Sequence, residues 1–218
     1  MRRPYLVGSL VAFLLVTFAA AAFVATVGKV SPEAINTSVI RNDELLDRAW
    51  RLPTAATFNR TITWQTNGSL CGPASLANSF RSLGDDKRTE AEVLRGTGRC
   101  PLGFCLMGLT LDELAEVARH GNRKVTVLRD LTPDDFREHL RRSNDPSRRY
   151  IANFSREPVF GAGVGHHSPI GGYLEAEDLV FVLDVNGEFQ PWLVERERLY
   201  SALNTFDGSK KRGLLLIE

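Results

Sequence analysis

An excess of charge of either sign is missing: 27 Lys and Arg stand against 26 Asp and Glu, a net charge of +1. Phosphate-binding surfaces leave a basic excess, so nucleic acid is not expected as the main partner. Cysteine is scarce, with three in 218 residues, and only Cys100 and Cys105 lie close together. Their segment, RCPLGFC, lacks zinc-knuckle spacing, and a structural zinc site would use a second such pair. No internal repeat or low-complexity tract breaks the chain. One folded domain is therefore expected from about Val30 to Glu218. Charge is also missing locally, because Pro4 to Gly28 contains none. Arg2 and Arg3 precede that apolar run, which is the pattern of an export signal. Small residues Ala19 to Ala22 fit a signal-peptidase site, while the run is also long enough for a membrane anchor. Residues 1–29 are read as one or the other. Either way the arginines place the domain beyond the membrane, exported and extracytoplasmic.

What is present is ordinary for a globular domain: 43% hydrophobic and 24% charged residues. A short helix is expected within Asp43–Trp50, broken before Pro53. From Gly72, the positions Leu76, Ala77, Phe80 and Leu83 follow helical spacing, with Pro73 suited to the first turn and Gly84 to the stop. Thr110 with Glu113 forms a capping box, and another helix begins at Thr132-Pro133. The second half reads as strands: Tyr150–Phe154, SPIGGYLEA, Leu179–Val185 and Gly213–Glu218. Helices first and strands after predict an α+β fold with an antiparallel sheet. The basic cluster Arg137, Arg141, Arg142, Arg148 and Arg149 is read as a solvated helix end and loop.

Cys71 stands where the helical pattern begins. A helix N-terminus carries unpaired N–H groups and the positive end of the dipole, which favour the thiolate, the nucleophilic form. Three features nearby fit nucleophilic catalysis. Gln65 can offer an amide to an oxyanion together with the Cys71 N–H. GVGHHSPIGGY supplies His166 and His167, and Gly165 leaves room for substrate. Asp184 closes an apolar strand and can orient a histidine. Taken singly, each also fits a bland role: a buried thiol, a loop amide, a surface histidine, a turn residue.

Cys71-Gly72-Pro73, GHHSPIGGY and LVFVLDV resemble the catalytic domain of phytochelatin synthases, as do GLTLDEL, NFSR and the closing LYSALNTFDGSKKRGLLLIE. The resemblance runs from about Thr63 to Glu218. It implies a papain-like cysteine protease fold, with a helical half carrying Cys71 and an antiparallel half carrying His166 and Asp184. It implies Cys71, His166, Asp184 and Gln65 as catalytic residues. His167 takes the place of an apolar residue, so His166→Ala is expected to be nearly inactive and His167→Phe tolerated. Glutathione is the implied substrate, with Asp207 and Arg212 as candidates for its γ-glutamyl end. No tightly bound cofactor is implied. Heavy-metal ions such as cadmium or zinc enter as activator or as the metal–glutathione thiolate. After the strand ending L-D-V, the family has a basic, aromatic, proline-rich segment. Here the stretch is NGEFQPW, two residues shorter and with Glu188 in place of basic residues. The chain also ends where the family's catalytic domain ends, with no counterpart to the cysteine-rich region of plant members. Hydrolysis to γ-glutamylcysteine is therefore expected to outweigh phytochelatin synthesis.

Two other readings remain: an exported papain-like peptidase acting on other peptides, and a metal-binding module using Cys100, Cys105, His120 or His167. Cys100 and Cys105 are either bridged, as an exported location allows, or two free thiols in a loop.

Overall fold

The computed structural model describes residues 29–86, 89–121 and 123–218. The expected signal or anchor at 1–29 lies outside these residues, apart from Lys29. Among the described residues, no helix is long and apolar enough to cross a membrane.

The first half holds helices α1 (Pro32–Ser38), α2 (Asp43–Trp50), α3 (Pro53–Ala56), α4 (Cys71–Ser82), α5 (Glu90–Leu94) and α6 (Leu111–Arg119). Their starts follow from capping chemistry. Asn42 accepts from the Leu45 N–H at the head of α2, and Thr110 and Glu113 close a reciprocal box on α6. α4 begins at Cys71 itself, one residue before the expected Gly72, and no side chain caps it.

The second half alternates: β1 (Val125–Leu128), α7 (Pro133–Arg142), β2 (Arg149–Ser155), α8 (Glu157–Phe160), β3 (Gly165–Leu174), β4 (Leu179–Val182), β5 (Trp192–Glu195), α9 (Arg196–Leu203), the short pair β6 (Phe206–Asp207) and β7 (Lys210–Lys211), and β8 (Gly213–Ile217). α7 forms where Thr132-Pro133 announces it, while α8 and α9 interleave with strands in a stretch expected to hold strands alone. Six strands form one antiparallel sheet in the order β1-β8-β2-β3-β4-β5. Both faces are covered, so its strands read as apolar runs, not alternating ones. Tyr150, Ala152 and Phe154 pack with Phe136 and Leu140 of α7 and Leu199 of α9. On the other face, Ile151, Leu215 and Ile217 pack with Leu76 and Phe80 of α4 and Leu114 of α6.

The apolar run expected to continue to Val185 leaves the ladder after Val182. Asp184 is therefore free of strand pairing and can turn its side chain inward. The basic cluster departs from its solvated reading at Arg149, which is 1% exposed. Its guanidinium bonds Ser82, Thr57 and main-chain carbonyls at Pro146 and Arg148. Burial is the main force pushing its pKa down to about 10, with Arg123 adding to it. Cys100 and Cys105 form a disulfide, with Cα atoms 4.3 Å apart, and Cys71 is the free cysteine.

Candidate active site

The head of α4 packs against β3, and this contact brings a thiol and two imidazoles together. Gly72 sits at this junction, where a Cβ would touch His167 Nδ1 at 3.7 Å but crowd Leu114 Cδ1 of α6 at 2.9 Å. Ser75 fixes the same junction by donating to the His167 carbonyl at 3.0 Å. Cys71 is buried. Burial pushes its thiol up, but the charge of His166, then hydrogen bonding with His166 and His167, outweighs this and holds it well below its ordinary value.

His166 lies opposite Phe154 in the β2–β3 register, and their rings meet edge-on at 5.6 Å. Its Nε2 donates to Asp184 Oδ1 at 2.9 Å. Asp184 is fully buried and well supplied with donors. Arg156 Nη2 lies 3.0 Å from both carboxylate oxygens, Trp192 Nε1 is 3.2 Å from Oδ2, and the Asn186 N–H is 2.9 Å from Oδ1. Burial pushes the carboxyl up, yet Arg156 and then His166 hold it at about 2. For His166, burial and Arg156 favour the neutral ring. Asp184 and Cys71 outweigh them, and its pKa is raised. A depressed thiol beside a raised imidazole can exist as a thiolate–imidazolium pair, the state a cysteine nucleophile needs.

A cleft of about 760 Å³ opens at this point, lined by Gln65, Gly68, Arg156, Gly165, His166 and Glu188 among others. Gln65 is anchored by its main-chain N–H to the Val185 carbonyl at 2.8 Å. Its side-chain amide donates to the Asn67 carbonyl at 3.0 Å, which leaves the second amide hydrogen available. The first turn of α4 supplies the other class of donor.

Of the expected residues, Gln65, Gly165 and His166 line the cleft, and Cys71 and Asp184 lie behind it as partners of His166. Asp207 and Arg212 do not line this cleft. They pair with each other at 3.3 Å on the β6–β8 side, and Arg212 packs against Gly165 and donates to Asn153 Oδ1 at 3.1 Å. Arg156, Trp192 and Asn153 were not singled out in the sequence. NFSR carries two of them inside a quoted motif, but a strand asparagine and a post-strand arginine give no signal of their own. Among the described residues, no group of three His, Cys, Asp or Glu side chains is gathered for a metal ion. The bridge also removes Cys100 and Cys105 as thiolate ligands, against the metal-module reading.

The family model of phytochelatin synthase matches residues 26–214. The chain is 28% identical over 204 residues to glutathione gamma-glutamylcysteinyltransferase 2 of Arabidopsis thaliana, covering 86% of this chain and 45% of that one. It is equally similar, at 28%, to glutathione gamma-glutamylcysteinyltransferase 1 of Triticum aestivum, covering 86% and 41%. The chain spans less than half the length of these curated relatives. Among solved structures, a protein described as a C39-like peptidase from Bacillus anthracis superposes with a TM-score of 0.54 at 13% identity, covering 74% of this chain and 95% of that one. That likeness shows the fold, which is papain-like.

Proposed function

The chain belongs to the phytochelatin synthase family, and on that premise we propose that it transfers the γ-glutamylcysteinyl group of glutathione through a thioester on Cys71. The observation that carries this reading is the convergence of the Cys71 thiol with the His166–Asp184 pair beside one cleft. The Cys71 thiolate attacks the carbonyl that joins cysteine to glycine. The C=O electron pair moves onto oxygen, where the Gln65 amide and the Cys71 main-chain N–H stabilise it. His166 gives its proton to the glycine nitrogen as the C–N bond breaks, and Asp184 holds the ring in place. Glycine leaves and the thioester remains. Water then gives a proton to His166 and its oxygen to the acyl carbon, the C–S bond breaks with its electron pair returning to sulfur, and γ-glutamylcysteine leaves the restored thiolate–imidazolium pair. A second glutathione in place of water would give a phytochelatin.

Hydrolysis is the main outcome in this reading. Transfer to a second glutathione requires that acceptor to be bound and oriented against a large excess of water. The acceptor carries two carboxylates, and Glu188 is exposed on the cleft lining. A carboxylate there repels an anionic acceptor. Heavy-metal ions enter as activator or as substrate, bound to the thiolate of glutathione. The uncharged run of residues 4–28 supports an exported, extracytoplasmic location, as a cleaved signal or an anchor.

Mass analysis of products from millimolar glutathione, with and without cadmium, tests the proposal. Glycine and γ-glutamylcysteine should appear, and Cys71→Ala should give neither. Intact glutathione alongside cleavage of a Gly-Gly peptide would instead make the protein a papain-like peptidase on other peptides. Dominance of oligomers with several γ-Glu-Cys units would overturn the hydrolytic reading.

A further inference from the structure

The second histidine of the pair is tied into the site by a relay that ends on the nucleophile. His167 and Asn153 face each other in the β2–β3 register, and their side chains meet at 2.6 Å between Asn153 Nδ2 and His167 Nε2. The amide's other end, Oδ1, lies 3.1 Å from Arg212 Nη1. A guanidinium only donates, so the amide atom facing Arg212 must be the oxygen. The atom facing His167 is then the NH2 group, which donates. His167 Nε2 must accept and is therefore bare, and the ring hydrogen resides on Nδ1. Nδ1 lies 3.8 Å from Cys71 Sγ, within reach of a sulfur acceptor. Asn153 and His167 are both buried, and Asp207 Oδ2 lies 3.3 Å from the same Arg212 Nη1.

We propose that His167 is a second catalytic imidazole of fixed tautomer, which donates its Nδ1 hydrogen to the Cys71 thiolate and leaves proton transfer to His166. Asn153 and Arg212 are positioning residues that act through it. The two rings divide the work by their partners. His166 is backed by the Asp184 carboxylate, which accepts, so its far nitrogen can gain and lose a proton. His167 is backed by an amide N–H, which donates, so its far nitrogen always presents hydrogen. A donor of this kind stabilises the anion before attack and after thioester breakdown, and needs no proton to move. It also gives Arg212 a role inside the protein, through Asn153, that does not require contact with substrate.

This inference rests on the reading of Cys71 as nucleophile but not on glutathione, and alkylation by iodoacetamide tests it without substrate. The rate against pH reports thiolate formation. The charged groups acting at this thiol are His166 from β3, Arg156 after β2 and Arg212 before β8, with Asp184 and Asp207 behind them, and His167 adds the hydrogen of a neutral ring. His167→Phe removes the donor and should move the profile upward by about one pH unit, about tenfold slower alkylation on its acid limb. His167→Asn returns an amide N–H near the Nδ1 position and should keep the profile within a few tenths of a unit. Asn153→Leu should move it partway. An unmoved profile in His167→Phe, or equal movement in the Phe and Asn variants, would overturn the donor role; an unmoved profile in Asn153→Leu would overturn the relay. The wild-type protein offers a check that needs no variant: long-range ¹H–¹⁵N correlation should place the His167 hydrogen on Nδ1, and finding it on Nε2 would overturn the proposal. Failure of glutathione cleavage alone would bear only on the substrate.

Discussion

Asp184 and Arg156 form a buried ion pair behind the imidazole, and separating them tests the electrostatic account of the site. The pair is 0% and 7% exposed at the side chains, with Nη2 3.0 Å from a carboxylate oxygen. Holding Asp184 at about 2 instead of its ordinary 3.8 corresponds to ~2 kcal/mol of native stability at neutral pH. The sign follows from the direction of the shift. The folded value is the lower one, so the contribution is complete above about pH 4 and is lost as pH falls through about 2. Removing one partner costs more, because it strands a charge: about 3–5 kcal/mol for a buried pair. Arg156→Met and Asp184→Asn should each lower the urea midpoint by about 2 M, for a slope of about 2 kcal/mol/M. The double variant strands no charge and should lose clearly less than the sum of the two. Activity should separate from stability. Arg156→Met leaves Asp184 to accept from His166 and should keep part of its turnover. Asp184→Asn puts an amide against Nε2 and frees the ring to adopt the wrong tautomer, at a cost of about 10⁴ in kcat. The double variant should be stable yet equally inactive. Urea unfolding followed by circular dichroism, with glycine release measured in parallel, decides the matter. Losses that add to within about 0.5 kcal/mol would refute the pairing.

Other expectations are separate from that pair. Cys71→Ala should abolish turnover and any acyl adduct seen by intact mass while leaving the urea midpoint near normal; retained activity would remove the mechanism. Turnover against pH should rise as the depressed Cys71 thiol ionises and fall as the raised His166 loses its proton, so the maximum lies between the two; a maximum on the alkaline side of both would reverse the roles assigned here. Thiol counting after denaturation without reductant should give one reactive group, and three with reductant, because Cys100 and Cys105 are bridged. Gly165→Ala should raise KM more than it lowers kcat, since Gly165 lines the cleft and a Cβ there overlaps the Arg212 guanidinium packed behind it. Glu188→Lys should raise the ratio of phytochelatin to γ-glutamylcysteine in the product mixture.

The elements legible in the sequence were those whose signals are local. Thr110 with Glu113, and Thr132 before Pro133, announce helix starts through their own side chains, and both helices form there. β1 gave no such signal: Val125–Leu128 is four half-buried residues at the sheet edge, and its pairing with β8 is set some ninety residues away. The site divides in the same manner. Cys71, His166 and Asp184 stand in motifs with recognisable spacing and do converge. Arg156 and Trp192 act on Asp184 only through tertiary packing, and no periodicity predicts which arginine will be buried. His167 is the sharpest case. Its place in the motif marked it as a substitute for an apolar residue, whereas its contacts are with a thiol, an amide and a helix serine. Strand register put Asn153 opposite it, and register is not readable from either strand alone.

The disulfide sorts the three thiols by distance along the chain. Cys100 and Cys105 are five residues apart, while Cys71 lies 29 and 34 residues from them. The chance that two ends of a flexible chain meet falls as about the three-halves power of the length between them. An oxidising environment therefore favours the near pair roughly tenfold over either bridge to Cys71, before any tertiary structure has formed. Once closed, that short ring is held against the segment leading to the nucleophile, with the Cys105 N–H donating to Ser69 Oγ and Asn67 Nδ2 donating to the Gly103 carbonyl. The same five-residue spacing thus spares the Cys71 sulfur from mispairing and ties down the loop whose Gly68 forms part of the cleft lining.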